Sequence, residues 1–156
     1  MPDFKSMKAL CNRNRAITKR FVDDFLLIYA DKQDCLVQRI MRQLVDFHGI
    51  LSEMLEGWAG GVISQVIAHQ LFMKGGLAGK YLHHIEVQKR SDEELEYLKF
   101  QIDYPWQFSY CSIVKQACKN FYEMKDVLSG DVFILNSSVV TKLLSILGIH
   151  QASGFC

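Results

Sequence analysis

Leu98-Lys99-Phe100-Gln101-Ile102-Asp103-Tyr104-Pro105-Trp106-Gln107-Phe108-Ser109-Tyr110 carries the chain across a change of period. Before it, Leu95 and Leu98 lie on one face of a helix. Pro105 has no amide to give a helix, and it biases Tyr104 toward extended backbone, so the helix is expected to stop there. From Trp106 onward rings alternate with Gln107, Ser109 and Cys111, and Ile113-Val114 follow. That period of two predicts a strand over 106–114, with Trp106, Phe108 and Tyr110 on one face.

Working upstream, Ser91-Asp92-Glu93-Glu94 reads as a capping box that opens the helix ending before Pro105. Leu10, Ile17, Phe21, Phe25 and Ile28 recur at helical intervals and predict a first helix over about residues 5–30. Leu36, Ile40, Leu44, Phe47, Leu51, Leu55 and Trp58 form a second, longer stripe. Residues Asp31 to Asp34 supply the break and an N-cap between these two helices, which are expected to pack antiparallel. Seven of the ten glycines fall within residues 49–79. Between Gly61 and Gly75 the pairs Val62/Ile63, Val66/Ile67 and Leu71/Phe72 predict a short, largely buried helix, with glycine pairs marking both ends. A further helical segment is expected from Leu77, carrying Tyr81, Leu82 and Ile85.

Downstream, Phe121–Val127 and Val132–Leu135 read as two more strands, joined by a tight hairpin at Leu128-Ser129-Gly130-Asp131. Asn136-Ser137-Ser138 then caps a last helix, Val139–Leu147, closed by Gly148. The expected class is α+β: an N-terminal half of about four to five helices, a three-stranded antiparallel meander, and a C-terminal helix. Residues 1–156 are read as one domain, with a helical part over 1–103 and the meander and terminal helix over 104–156. A three-stranded sheet has open edges. The helical half covers it, a second copy pairs with it, or the chain is part of a longer protein.

Composition is that of an ordinary globular chain, 49% hydrophobic and 22% charged, with two prolines and no low-complexity tract. The net charge of +1 conceals an asymmetry. Residues 1–20 hold six basic groups against Asp3 alone, and the remainder holds twelve against sixteen acidic ones. The basic leader either meets phosphates or an acidic partner, or is the solvated face of the first helix. Five cysteines without a CxxC spacing point to a reducing compartment. The most apolar run, Val62–Met73, is interrupted by polar residues and too short to span a bilayer, so a cytoplasmic protein with no membrane association is expected.

Met73-Lys74-Gly75-Gly76-Leu77-Ala78-Gly79-Lys80-Tyr81-Leu82-His83-His84 superficially resembles a phosphate-binding loop. A Walker-type loop requires glycine five residues before Gly79 and a Ser or Thr hydroxyl after Lys80. Lys74 and Tyr81 hold those places, and a helix rather than a strand precedes them, so the stretch is read as a helix-helix junction. Lys74 and Lys80 remain candidates for holding an anion near a helix start. Arg13, Arg15, Lys19 and Arg20 join them as candidate contacts for an anion or nucleic acid.

His69, His83, His84 and Glu86 are candidate metal ligands by residue type, although adjacent helical histidines diverge and no His-Glu-x-x-His pattern occurs. Asp23-Asp24 and Glu93-Glu94 are adjacent carboxylates that diverge on a helix; Lys19 and Arg20, and the cap, account for them. No cysteine stands in a helix-start setting that would lower its pKa, and Cys111, in the aromatic strand, is the least unsuited of them as a nucleophile. The aromatic strand serves either as a stacking platform for bases or as a buried sheet face.

No catalytic pattern is complete, and no cofactor is expected. The sequence therefore reads as a non-enzymatic interaction or structural module whose partner is another protein or a second copy. The alternatives are nucleic-acid association through the basic first helix, and a metal- or small-molecule-dependent enzyme around the central histidines.

Overall fold

The computed structural model describes residues 3–53 and 58–146. Leu55, Leu147 and Gly148, to which the sequence assigns helical roles, lie outside the described residues. The class is α+β, with helices first, a three-stranded antiparallel sheet whose strands pair in chain order, and a helix after it. The chain divides into two compact units: residues 14–107, and residues 108–156 together with 1–13. The sequence reading places the division at residue 103 and assigns the leading residues to the helical part.

The helical unit begins within α1 (Phe4–Ile17). The helix continues through a π-helical stretch, Thr18–Leu26, into α2 (Leu27–Asp34). This winding corrects the first predicted stripe. A π-helix closes i→i+5 rather than i→i+4 bonds, so the buried face advances by four or five residues instead of three or four. Phe21, Val22, Leu26 and Ala30 are accordingly buried and Ile28 is exposed, while ahead of this stretch, on α1, Ile17 is buried and Leu10 exposed.

The break falls at Cys35, whose left-handed backbone (φ 48°, ψ 43°) turns the chain into α3 (Leu36–Gln43). Asp31 supplies the cap from four residues back: its carboxylate accepts the Val37 amide at 2.9 Å. The second stripe is not one helix. After α3 come a 3-10 turn (Val45–Phe47) and α4 (His48–Glu53). Leu36 and Ile40 are buried and Leu44 half-buried, but Phe47 is 52% exposed.

Next is α5 (Trp58–Phe72), which contains Gly60 and Gly61 in its interior rather than starting after them. Only its last two residues, Leu71 and Phe72, are fully buried, so it covers the core instead of lying within it. The predicted segment from Leu77 is two short helices, α6 (Leu77–Tyr81) and α7 (Ile85–Gln88), with Ile85 exposed. Ser91 and Glu94 form the expected capping box of α8 (Asp92–Asp103), which ends where Pro105 requires. Phe21, Leu26, Leu36, Ile40, Tyr81 and Leu98 are at the centre of the core these helices share.

Trp106 departs from the prediction. Its amide donates to Phe72 O at 2.9 Å, its ring lies 5.3 Å from the Phe72 ring, and its indole N–H donates to the Gln101 carboxamide. It closes the end of the helical core and belongs to no strand.

In the sheet unit, β1 (Cys111–Cys118) therefore starts five residues later than predicted. Phe108 and Tyr110 precede it and are exposed, so the three rings do not form one face of a sheet, buried or stacking. β2 (Phe121–Asp126) and β3 (Val132–Asn136) match their predicted places, and both pairings are antiparallel. Asp126 organises the hairpin, accepting the amides of Leu128 at 2.7 Å and Ser129 at 2.9 Å. The Ser109 hydroxyl also donates to it, and that bond above all holds its carboxyl below the ordinary aspartate range. Ser137 accepts the Val140 amide at 3.2 Å and caps α9 (Ser138–Ile146), as its position predicts. The first turns of α1 belong to this unit, with the Phe4 ring 5.3 Å from that of Phe121.

Candidate functional site

The junction between α5 and α6 is built around two glycines with different tasks. Gly75 has φ +74°, a conformation side chains disfavour, and ends α5. Gly76 meets a steric limit, because a Cβ there would lie 2.5 Å from the Leu71 carbonyl oxygen. Its amide donates to Met73 O at 2.8 Å. Beneath the loop is a cavity of about 110 Å³ lined by Leu71, Phe72, Met73, Ala78, Ile102 and the loop glycines, with no charged side chain. The junction joins two helices, and its interior is apolar.

Lys80 turns away from the loop toward α2. Its ammonium donates to both Asp34 oxygens, at 2.7 and 2.9 Å, and the buried Tyr81 phenol donates to the same carboxylate. Lys80 first, and Tyr81 second, hold Asp34 below its ordinary pKa. Burial, aided by the Asp34 charge, pushes the Tyr81 phenol well above its own, so it remains a donor. His84 completes the arrangement, with Nδ1 2.9 Å from the Tyr29 hydroxyl and its ring 5.2 Å from that of Tyr81. The tail of the glycine stretch thus fastens α6 to α2. Nothing in a single sequence signals the pairing of Asp34 with Lys80, which are 46 residues apart.

Arg20 is drawn in from the basic leader by Glu93 and by Glu94, the latter at 3.2 Å. Arg90 grips Glu94 with two bonds, at 3.0 and 3.1 Å, and its guanidinium lies 4.7 Å from the centre of the Phe25 ring. Burial raises the Glu94 pKa, but Arg90 and the Ser91 amide and hydroxyl outweigh it, and the carboxyl ends below its ordinary value. The helix cap is therefore also the hub of an ion network.

The remaining candidates are dispersed. Arg13, Arg15 and Lys19 lie on exposed turns of the first helix, and Lys74 is exposed in the junction. His69 is half-buried on α5, His83 is exposed, and Glu86 pairs with Lys89 at 2.8 Å. Among the described residues no three His, Cys, Asp or Glu side chains converge closely enough to hold a metal ion. Cys111 is an exposed free thiol at the start of β1.

One feature of the helical unit has no counterpart in the sequence reading. Val37 and Met41, about a quarter turn round α3 from Leu36 and Ile40, are exposed, as are Val45, Phe47 and Ile50 beyond them. Trp58 and Val62, one turn apart on α5, are exposed as well, Trp58 at 49%. Single exposed apolar residues are ordinary, but so many large ones on consecutive elements of one unit are not. The sequence stripe includes Phe47 and Trp58 but assigns them to the buried face. The 3-10 turn after Leu44 takes Phe47 off the buried face of α3, and Trp58 stands on a separate helix, α5.

Among the described residues no helix is long and apolar enough to cross a membrane. Compared with known protein families, curated proteins and solved structures, the chain finds no match.

Proposed function

We propose that this protein is a non-enzymatic interaction module whose helical unit engages a protein partner through the exposed apolar residues of 37–62. The observation that carries the reading is the exposure of Phe47, Ile50 and Trp58 on consecutive elements. Aromatic and large aliphatic side chains of this kind supply most of the energy of protein contacts when a partner desolvates them. The charged clusters support the same reading. Lys80, Asp34, Arg20, Glu94 and Arg90 bind one another across helices and so serve the scaffold.

The test compares the full chain with a Phe47→Ser/Trp58→Ser variant as bait for quantitative affinity capture. Both side chains are about half exposed, so circular dichroism and thermal midpoint are expected to change little. Specific proteins retained by the wild type are expected to fall at least about tenfold on the variant, matching the loss of two anchor residues. Equal retention on both baits overturns the proposal.

A further inference from the structure

The sheet has two edges of unlike design. At β1 the ladder is interrupted twice, between Ile113 and Lys115 and between Gln116 and Cys118, and Lys115 extends to Glu123 at 3.2 Å. Irregular register and an edge lysine are devices that discourage further strand pairing. β3, Val132-Phe133-Ile134-Leu135-Asn136, has neither. It runs in regular register along β2 and contains no charge and no proline.

The ladder also shows which groups the edge presents. The bonds from Asp126 N to Asp131 O (2.9 Å) and from Ser137 N to Asn120 O (2.8 Å) flank β3 at either end and share one alternation phase. Antiparallel strands alternate bonded and non-bonded pairs. Phe133 and Leu135 therefore bond inward to β2, while Val132, Ile134 and Asn136 direct their amides and carbonyls outward. Those outward groups find no backbone partner among the described residues.

We infer that β3 pairs edge to edge with β3 of a second copy of this chain. An antiparallel arrangement with Ile134 on the two-fold axis sets Ile134 opposite its own counterpart and Val132 opposite the counterpart of Asn136. These are the outward-facing residues, so each facing pair exchanges both backbone bonds. Phe133 then lies opposite the counterpart of Leu135, an aromatic-aliphatic pair of the kind that stabilises sheets. No like charges meet anywhere along the strand, and the contact closes on itself without leaving a new edge of the same kind. At β1 the same operation would bring lysines of two copies toward one another across an irregular ladder.

The test follows amide exchange and mass of the full chain as concentration rises. The Val132, Ile134 and Asn136 amides are expected to slow at least about tenfold from dilute to concentrated protein. Those of Phe133 and Leu135, already bonded to β2, are expected to keep their rates, and light scattering is expected to report a doubled mass. Ile134→Pro removes one outward donor and no bond to β2, so it is expected to be monomeric where the wild type is dimeric. A single-chain mass at all concentrations, an Ile134 amide insensitive to concentration, or a dimer that survives Ile134→Pro overturns the inference. The Phe47→Ser/Trp58→Ser variant is expected to dimerise like the wild type, so failure of partner capture and failure of pairing are read separately.

Discussion

Phe21, Leu26, Leu36, Ile40, Leu71 and Tyr81 come from four different segments and close on one another inside the helical unit. The sheet unit is built otherwise. Among its described residues the buried apolar side chains, Phe121, Tyr122 and Met124, all come from β2. A core drawn from many elements interlocks several segments, whereas in the sheet unit full burial is confined to the middle strand and neither flanking strand has a buried residue. The helical unit is therefore vulnerable at its centre and the sheet unit at its margins.

The largest expected effect tests that contrast directly. Phe21→Ala is expected to cost about 3–5 kcal/mol in chemical denaturation, because it opens a cavity in a closed core. Met124→Ala, on the narrower core, is expected to cost about 2 kcal/mol, at the low end for its type. Equal costs would show that the two cores are closed alike.

Next in size is the ion network that closes the helical unit. Glu94→Gln is expected to lose about 1.5–3 kcal/mol at pH 7 through its bonds to Arg90 and Arg20. Glu94 has a folded pKa below its unfolded one. Its contribution is therefore complete above about pH 4.5 and is lost as pH falls through the folded value. Urea midpoints of wild type and variant are expected to differ at pH 7 and to converge in acid. A gap that persists at low pH would show that packing, not charge, carries the effect.

The smallest effects concern two glycines of the helical unit. Gly76→Ala is expected to cost about 1–3 kcal/mol, since its Cβ would press on the Leu71 carbonyl. Gly60→Ala meets nothing within 4 Å on a helix and is expected to stabilise by up to about 1 kcal/mol, measured as a rise in thermal midpoint.

Much of the architecture was legible because local chemistry decided it. Ser91 and Glu94 stand at capping-box spacing and begin a helix, Pro105 ends it, and the Leu128–Asp131 turn joins two strands. The errors arose where winding departs from 3.6 residues per turn. The π stretch moved burial from Ile28 to Leu26 and Ala30, and the 3-10 turn moved Phe47 into solvent. Trp106 alternates like a strand residue yet is claimed by Phe72 and Gln101, a tertiary preference that no local pattern reveals. The candidate interaction surface escaped notice for the same reason, because hydrophobic spacing alone does not say which side of a helix is covered.

The Thr18–Leu26 winding has one more implication, for how this chain tolerates changes in length. Each wide turn holds about one residue more than an α-helical turn would. Removing a single residue there lets the coil tighten locally, and Ala30 with everything after it keeps its bearing. The same deletion inside α8 would swing every later side chain by about 100°. Thr18–Leu26 is thus slack held in reserve, the place where the chain can be shortened without turning its fabric inside out.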